Sequence, residues 1–346
     1  VVARRWFGRI DVNRGATGSM TFSHPWKGWL RELVEVRGKE DQLGLYAAVL
    51  TGVRRSLDDW IAAERLEEYR VLARRLGLVV APDCVFRPLA DPAPTGLELA
   101  PTTRASGAPF PEGLDGTRGA SVHLFVARRG DLAAEARAAG WYPVEIGGRI
   151  VHKPLIDHRR LGLAFGYPLC CVDFFLHHND WPRQNTLAEA ARRPTALSWQ
   201  ANSLPKKSPF MLLFHMPCTF DCEATREQAR VTLEALREVD SAFAERIESF
   251  LRGLFLSISE RAVFRLQGAR EFGDDRVRYR SALDLRAAGS VQESWEERYH
   301  ELLAAGDEVR VEEGDVHVLR QGRLVASLGC RCDRGVAEVP LLLDFR

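Results

Sequence analysis

Apolar positions fall at helical spacing through the first quarter of the chain. Trp26, Trp29, Leu30 and Leu33 make one stripe, and Leu43, Leu45, Ala48, Val49, Val53, Leu57 and Trp60 a longer one. The pattern predicts helix over 25–78, with Asp58, Asp59 and the run Glu64 to Arg75 as its solvated face and the tryptophans in its core. Val79 to Val85 reads as a strand whose isolated Cys84 is a small buried hydrophobe. From Arg87 to Gly119 six prolines and five glycines break every period, so this segment reads as an irregular linker and a domain boundary.

Order returns with a strand at Ser121–Val126, a helix at Asp131–Ala139 and a hairpin from Val144 to Val151 turning at Gly147-Gly148. Asp157 reads as the N-cap of a helix through Leu163. A long helical stretch is expected from Pro217 to about Phe255, interrupted near Asp240. Beyond it the period becomes two. Ala262–Leu266, Arg276–Leu283, Glu308–Val311, Val316–Leu319 and Leu324–Leu328 read as strands, with a helix at about Trp295–Ala305 and tight turns at 313–315 and 321–323. The class is therefore α+β. A helical region (1–86) and the linker (87–119) precede a central cysteine-motif domain (120–257) and an antiparallel β-rich region (258–346).

A net charge of +1 argues against a strongly basic nucleic-acid binder. No apolar run reaches the ~18 residues of a membrane helix, and Arg4, Arg5, Arg9 and Asp11 interrupt the first twenty residues, so no secretory segment is read there. The expected setting is the cytoplasm and the expected partner a small molecule, with no membrane. In that setting the seven cysteines point to metal or thiol chemistry and not to disulfides.

Four of them lie in two short patterns, Gly166-Tyr167-Pro168-Leu169-Cys170-Cys171 and His215-Met216-Pro217-Cys218-Thr219-Phe220-Asp221-Cys222. Pro168 and Pro217 each suit the first position of a helix, where the missing N–H is harmless. A helix opened by Pro217 carries Cys218 and Cys222 at i and i+4 on the face of Ala229, Leu233 and Leu236. A helix opened by Pro168 presents Cys170 and Cys171 in its first turn, where the dipole favours thiolates. Neighbours on a helix diverge by about 100°, which leaves open which of Cys170 and Cys171 is a ligand and which a reactive thiol.

The four cysteines are thus the expected metal ligands, for an iron–sulfur cluster or alternatively for zinc, although the spacing matches no standard zinc ribbon or ferredoxin run. His215, Asp173 and Asp221 are candidate acid–base groups, and Lys206, Lys207 and Asn202 candidate contacts for an anionic ligand. Asn185, Trp181, Trp199 and Gln200 add polar and aromatic groups to the same loop. His177 and His178 lie about 10 Å along the axis from the cysteines, too far to share one ion. Cys330 and Cys332 form a further C-x-C pair.

The two motifs together resemble those of a family of prokaryotic proteins defined by a domain of unknown function. The resemblance covers about residues 120–250 and rests on Gly166 to Phe174 and His215 to Cys222. It implies a cytosolic protein built around these motifs and carries no activity with it. Function therefore reads as an iron–sulfur protein, with non-redox sulfur transfer or lyase chemistry as its enzyme form. The alternative is a structural zinc module within a binding protein.

Overall fold

The computed structural model describes residues 13–14, 20–21, 26–37, 43–88, 105–110, 119–140, 144–146, 149–151, 157–178, 186–193, 196–205, 208, 210–258, 262–273, 276–285, 294–312, 314–329 and 340–345. The class is α+β: helices dominate the first part, and antiparallel strands the last.

Helices Trp26–Arg37 and Leu43–Leu50 form where the apolar periodicity is strongest. Every residue of the second is buried, so it is a core helix apolar on all sides. The helix predicted to continue past it does not. Gly52, at φ +78, donates to the Val49 carbonyl and ends the helix. Ser56–Ala62 is then a strand, pairing antiparallel with Ser121–Ala127. On it Leu57, Asp59 and Ile61 alternate inward.

The acidic pair read as a solvated helical face is therefore split between the two faces of a sheet. Asp59 is buried because it has partners there. It accepts from Arg37 Nη2 at 2.7 Å and Tyr46 Oη at 2.5 Å, while Tyr69 meets the Tyr46 hydroxyl. Only Leu66–Arg75 in this stretch returns to α-helix.

The first sheet is completed by Val79–Pro88 and by Ala105–Pro109, whose residues pair with Cys84–Pro88. That last strand corrects the reading of 87–119 as irregular throughout. Its Gly- and Pro-containing sequence is held by cross-strand hydrogen bonds at a sheet edge, where proline is tolerated.

Helices Glu223–Val239 and Ser241–Leu251 lie against this part of the molecule. Leu212, Leu233, Leu236 and Ile247 share one apolar core with Leu33, Tyr46, Leu57 and Val122. Asp240 separates the two helices and caps the second by accepting from Phe243 N at 2.9 Å. The helix ends at Leu251, short of the expected Phe255, because Gly253 adopts φ +131 and the chain turns into strand Leu254–Ser257. That strand sits in a four-stranded sheet with Val263–Gln267, Ser281–Asp284 and Leu341–Asp344. A five-stranded antiparallel sheet follows, ending in the expected meander Glu308–Glu312, Asp315–Arg320 and Arg323–Gly329. Among the described residues no helix is long and apolar enough to cross a membrane.

Candidate metal centre

Two chain turns build the site. Asp157 caps helix His158–Ala164 by accepting from Arg160 N at 2.9 Å, as its position suggests. The helix closes with Gly166 N donating to Leu163 O and Tyr167 N to Gly162 O. Gly166 has φ +77, and a Cβ there would stand 2.9 Å from the Arg55 backbone nitrogen, so the position requires glycine. The Pro168 carbonyl next accepts from Cys171 N and Val172 N, and helix Leu169–His178 begins with Cys170 and Cys171 in its first turn.

The second motif is built otherwise than its proline suggests. Pro217 does not open a helix. Residues 218–221 form a turn in which Cys222 N donates to Thr219 O, and Cys222 is the N-cap of Glu223–Val239. Cys218 and Cys222 are therefore not an i, i+4 pair on one helical face. The physical reason is the Cys222 carbonyl, which accepts from Arg226 N and so takes the first intrahelical bond that Pro217 was expected to set up. Ala229, Leu233 and Leu236 still form the buried face.

All four thiols nevertheless converge, with ligand atoms within 4.8 Å of one another, and the group could hold a metal ion. Cys170 Sγ lies 3.9 Å from Cys171 Sγ and 3.7 Å from Cys222 Sγ, and Cys171 Sγ lies 3.8 Å from Cys222 Sγ. Both members of the adjacent pair take part: Cys171 is buried and Cys170 exposed. Cys171 Sγ also accepts from Cys218 N at 3.4 Å and meets Thr225 Oγ1 at 3.3 Å.

The thiols compete for protons. Hydrogen bonds from Cys171 and Cys218 hold Cys222 well below the usual thiol range. Cys171 is driven far up by its hydrogen bonds with Cys218 and Cys222 and by burial. At Cys218 the hydrogen bond with Cys171 acts downward, but Cys222 and burial outweigh it and push the thiol up to about 12. One thiolate is thus readily formed, and further ones need a compensating cation among them.

His215 stands behind this group. Its Nε2 is 3.0 Å from Thr225 Oγ1, and its ring centroid is 5.0 Å from that of Tyr167, whose hydroxyl donates to Phe214 O at 2.8 Å. Burial first, then the Arg54 charge, lowers its pKa to about 3 against the opposing pull of Cys222, so the imidazole is neutral.

The other expected groups lie as follows. Asp173 is exposed and ion-paired with Arg159. Asp221 accepts from Thr219 Oγ1 at 2.7 Å within its own turn. Asn202, expected to meet a ligand, is instead buried. Its Nδ2 donates to Leu251 O at 2.8 Å and its Oδ1 accepts from Leu204 N at 3.1 Å, because a loop that crosses the core must satisfy its backbone groups. His178 meets Arg193, away from the thiols' own contacts. Lys206, Lys207, Asn185, Trp181, Cys330 and Cys332 lie outside the described residues.

Sequence reasoning missed Thr225 and Arg54. Thr225 lies on the helix that Cys222 caps, three residues on, which is a usable signal. Arg54 follows Val53 in an unrelated stretch, and nothing local marks it.

Cys84 is buried elsewhere. Its Sγ is 3.5 Å from Asp83 Oδ2, which is 3.4 Å from His123 Nδ1.

No protein-family model matches this chain, and neither a curated protein nor a solved structure does.

Proposed function

We propose that this protein is a zinc metalloprotein in which Cys170, Cys171, Cys218 and Cys222 enclose one tetrahedral ion. The separation of the thiols carries the reading. A Zn–S bond of about 2.3 Å sets tetrahedral ligands about 3.8 Å apart. The three pairs among Cys170, Cys171 and Cys222 stand at 3.7, 3.8 and 3.9 Å, and Cys218 joins them within 4.8 Å. An iron–sulfur cluster distributes its cysteines over several irons and so spreads them further. Four protein ligands complete a closed shell, the pattern of a structural site. The ion would tie the start of Leu169–His178 to the start of Glu223–Val239 across some fifty residues of chain, and so act as a staple for a binding protein.

A second reading, an iron-dependent enzyme of the sulfur-transfer or lyase type, draws on one observation. Cys170 alone of the four is exposed, so its release would open a coordination position to a small-molecule substrate. The motif resemblance fits either reading, because it speaks only for the site.

Metal and acid-labile sulfide analysis after anaerobic purification separates them, with X-ray absorption at the metal edge. One zinc per chain with four sulfur neighbours at about 2.3 Å supports the staple. A brown protein with matching iron and sulfide overturns it in favour of the cluster.

A further inference from the structure

The four thiols of the metal centre differ in what can reach them. Cys170 alone is exposed, Cys171 and Cys222 are buried, and Cys218 lies between these extremes. Cys171 is also held by its neighbours, with Cys218 N at 3.4 Å, Thr225 Oγ1 at 3.3 Å and Cys222 Sγ at 3.8 Å. A dissolved oxidant therefore meets the Cys170 sulfur first.

Two thiols stand beside that sulfur, Cys222 at 3.7 Å and Cys171 at 3.9 Å. Cys171 is its neighbour in the chain, within helix Leu169–His178. Consecutive Cα atoms lie about 3.8 Å apart across a trans peptide, closer than the roughly 4.4–6.8 Å that a disulfide takes. A bond between these two would distort the helix that carries them. Cys222 is free of that restriction, because it belongs to another element as the N-cap of Glu223–Val239. Its sulfur has only to close from 3.7 Å to the about 2.05 Å of an S–S bond.

We propose that Cys170 and Cys222 are a reversible redox pair, which hydrogen peroxide oxidises to a disulfide with release of the bound zinc. The inference rests on the zinc reading and adds regulation of the same site. The Cys170 thiolate attacks one peroxide oxygen, the O–O bond breaks, hydroxide leaves and a sulfenic acid remains. The Cys222 thiolate then attacks that sulfur, the S–O bond breaks and a second hydroxide leaves. The peroxide has gained the two electrons that the two sulfurs lost. Both hydroxides take protons from the buffer, as do the Cys171 and Cys218 thiolates once the ion departs. Two remaining thiols do not make a closed four-ligand shell, so zinc is released. The disulfide joins the same two helix starts that the ion joined, and the staple outlasts its metal.

The test uses the full chain with its metal as purified. Zinc is measured first; peroxide is then added, and released zinc is followed with a chromogenic chelator. Peptide mass mapping after alkylation locates the oxidised cysteines. One Cys170–Cys222 disulfide for each zinc released, reversed by dithiothreitol with added zinc, is the expected result. The oxidised, zinc-free chain should melt above the reduced chain stripped by chelator. Cys170→Ser should abolish the disulfide, whereas Cys84→Ser should leave both it and the zinc release unchanged. If C170S does not fold, the wild-type map decides alone. The proposal is overturned, with the zinc reading left standing, if zinc-loaded protein pairs either cysteine with another partner or leaves Cys170 as a sulfinic acid. Retention of zinc after oxidation, or an oxidised chain that melts no higher than the stripped one, overturns it equally. Purified protein without zinc overturns both.

Discussion

Replacing Gly166 by alanine tests whether the first cysteine motif depends on its glycine for backbone reasons. Gly166 lies between helix His158–Ala164 and the helix that carries Cys170 and Cys171. Its φ of +77 costs an L-residue about 1–2 kcal/mol. The added Cβ would also stand 2.9 Å from Arg55 N and 3.2 Å from Arg54 Cα, and both atoms belong to backbone that cannot rotate aside. Relieving the contact displaces Gly166 O from Gln228 Nε2, now at 2.8 Å, a bond worth about 1 kcal/mol.

Together these place the loss at about 2–4 kcal/mol. Gly28 supplies the control. It lies in helix Trp26–Arg37 with nothing within 4 Å of a built Cβ, so Gly28→Ala should stabilise by about 0.5–1 kcal/mol. Urea unfolding of the two variants and the wild type, with metal content measured on each, reads the difference. A G166A protein within about 0.5 kcal/mol of wild type would refute the backbone argument. So would a loss as large in G28A.

Thr225→Val should lower metal affinity by about 10–100-fold, because the hydroxyl lies 3.3 Å from Cys171 Sγ and 3.0 Å from His215 Nε2; chelator competition measures this, and an unchanged affinity counts against the supporting role. Asp59→Asn should destabilise by about 3–5 kcal/mol, since it leaves the buried Arg37 charge facing a neutral amide; a denaturant midpoint equal to wild type would show that the pair contributes little. At His123 burial opposes the charge, but Asp58 and Asp83 outweigh it and raise the pKa above 6.5. Its contribution to stability is therefore full below pH 6.5 and is lost as pH rises through the raised value; His123→Gln should flatten that decline in unfolding measured from acid to alkaline pH, and parallel curves would contradict it.

The local signals that proved legible were those in which a residue acts on its own neighbours. Asp157 caps the helix that starts beside it, the helical stretch breaks at Asp240, and the alternation from Ala262 to Leu328 gives strands, although the one strand read over Arg276–Leu283 is two, Arg276–Arg278 and Ser281–Asp284, in different sheets. The four cysteines were visible as a group because their types and clustering restrict what they do in a reduced chain. Where the reading failed, a distant partner decided the outcome. Asp59 looks like surface until Arg37, Tyr46 and Tyr69 are brought to it. Ser56–Ala62 is strand because Ser121–Ala127 lies beside it, and pairing overrides a weak helical period.

The sequence alone therefore determined the α+β class and the identity of the thiols, through periodicity and side-chain chemistry. Only the tertiary structure decided that Cys170 and Cys171 both reach the group, and that Cys222 caps its helix while Cys218 precedes it. It also placed Arg54, from a different part of the chain, among Phe165, Tyr167 and Phe214. Capping and periodicity act over a few residues of chain. Convergence of thiols some fifty residues apart, and of an arginine more than a hundred residues from the first motif, depends on which surfaces the core brings together.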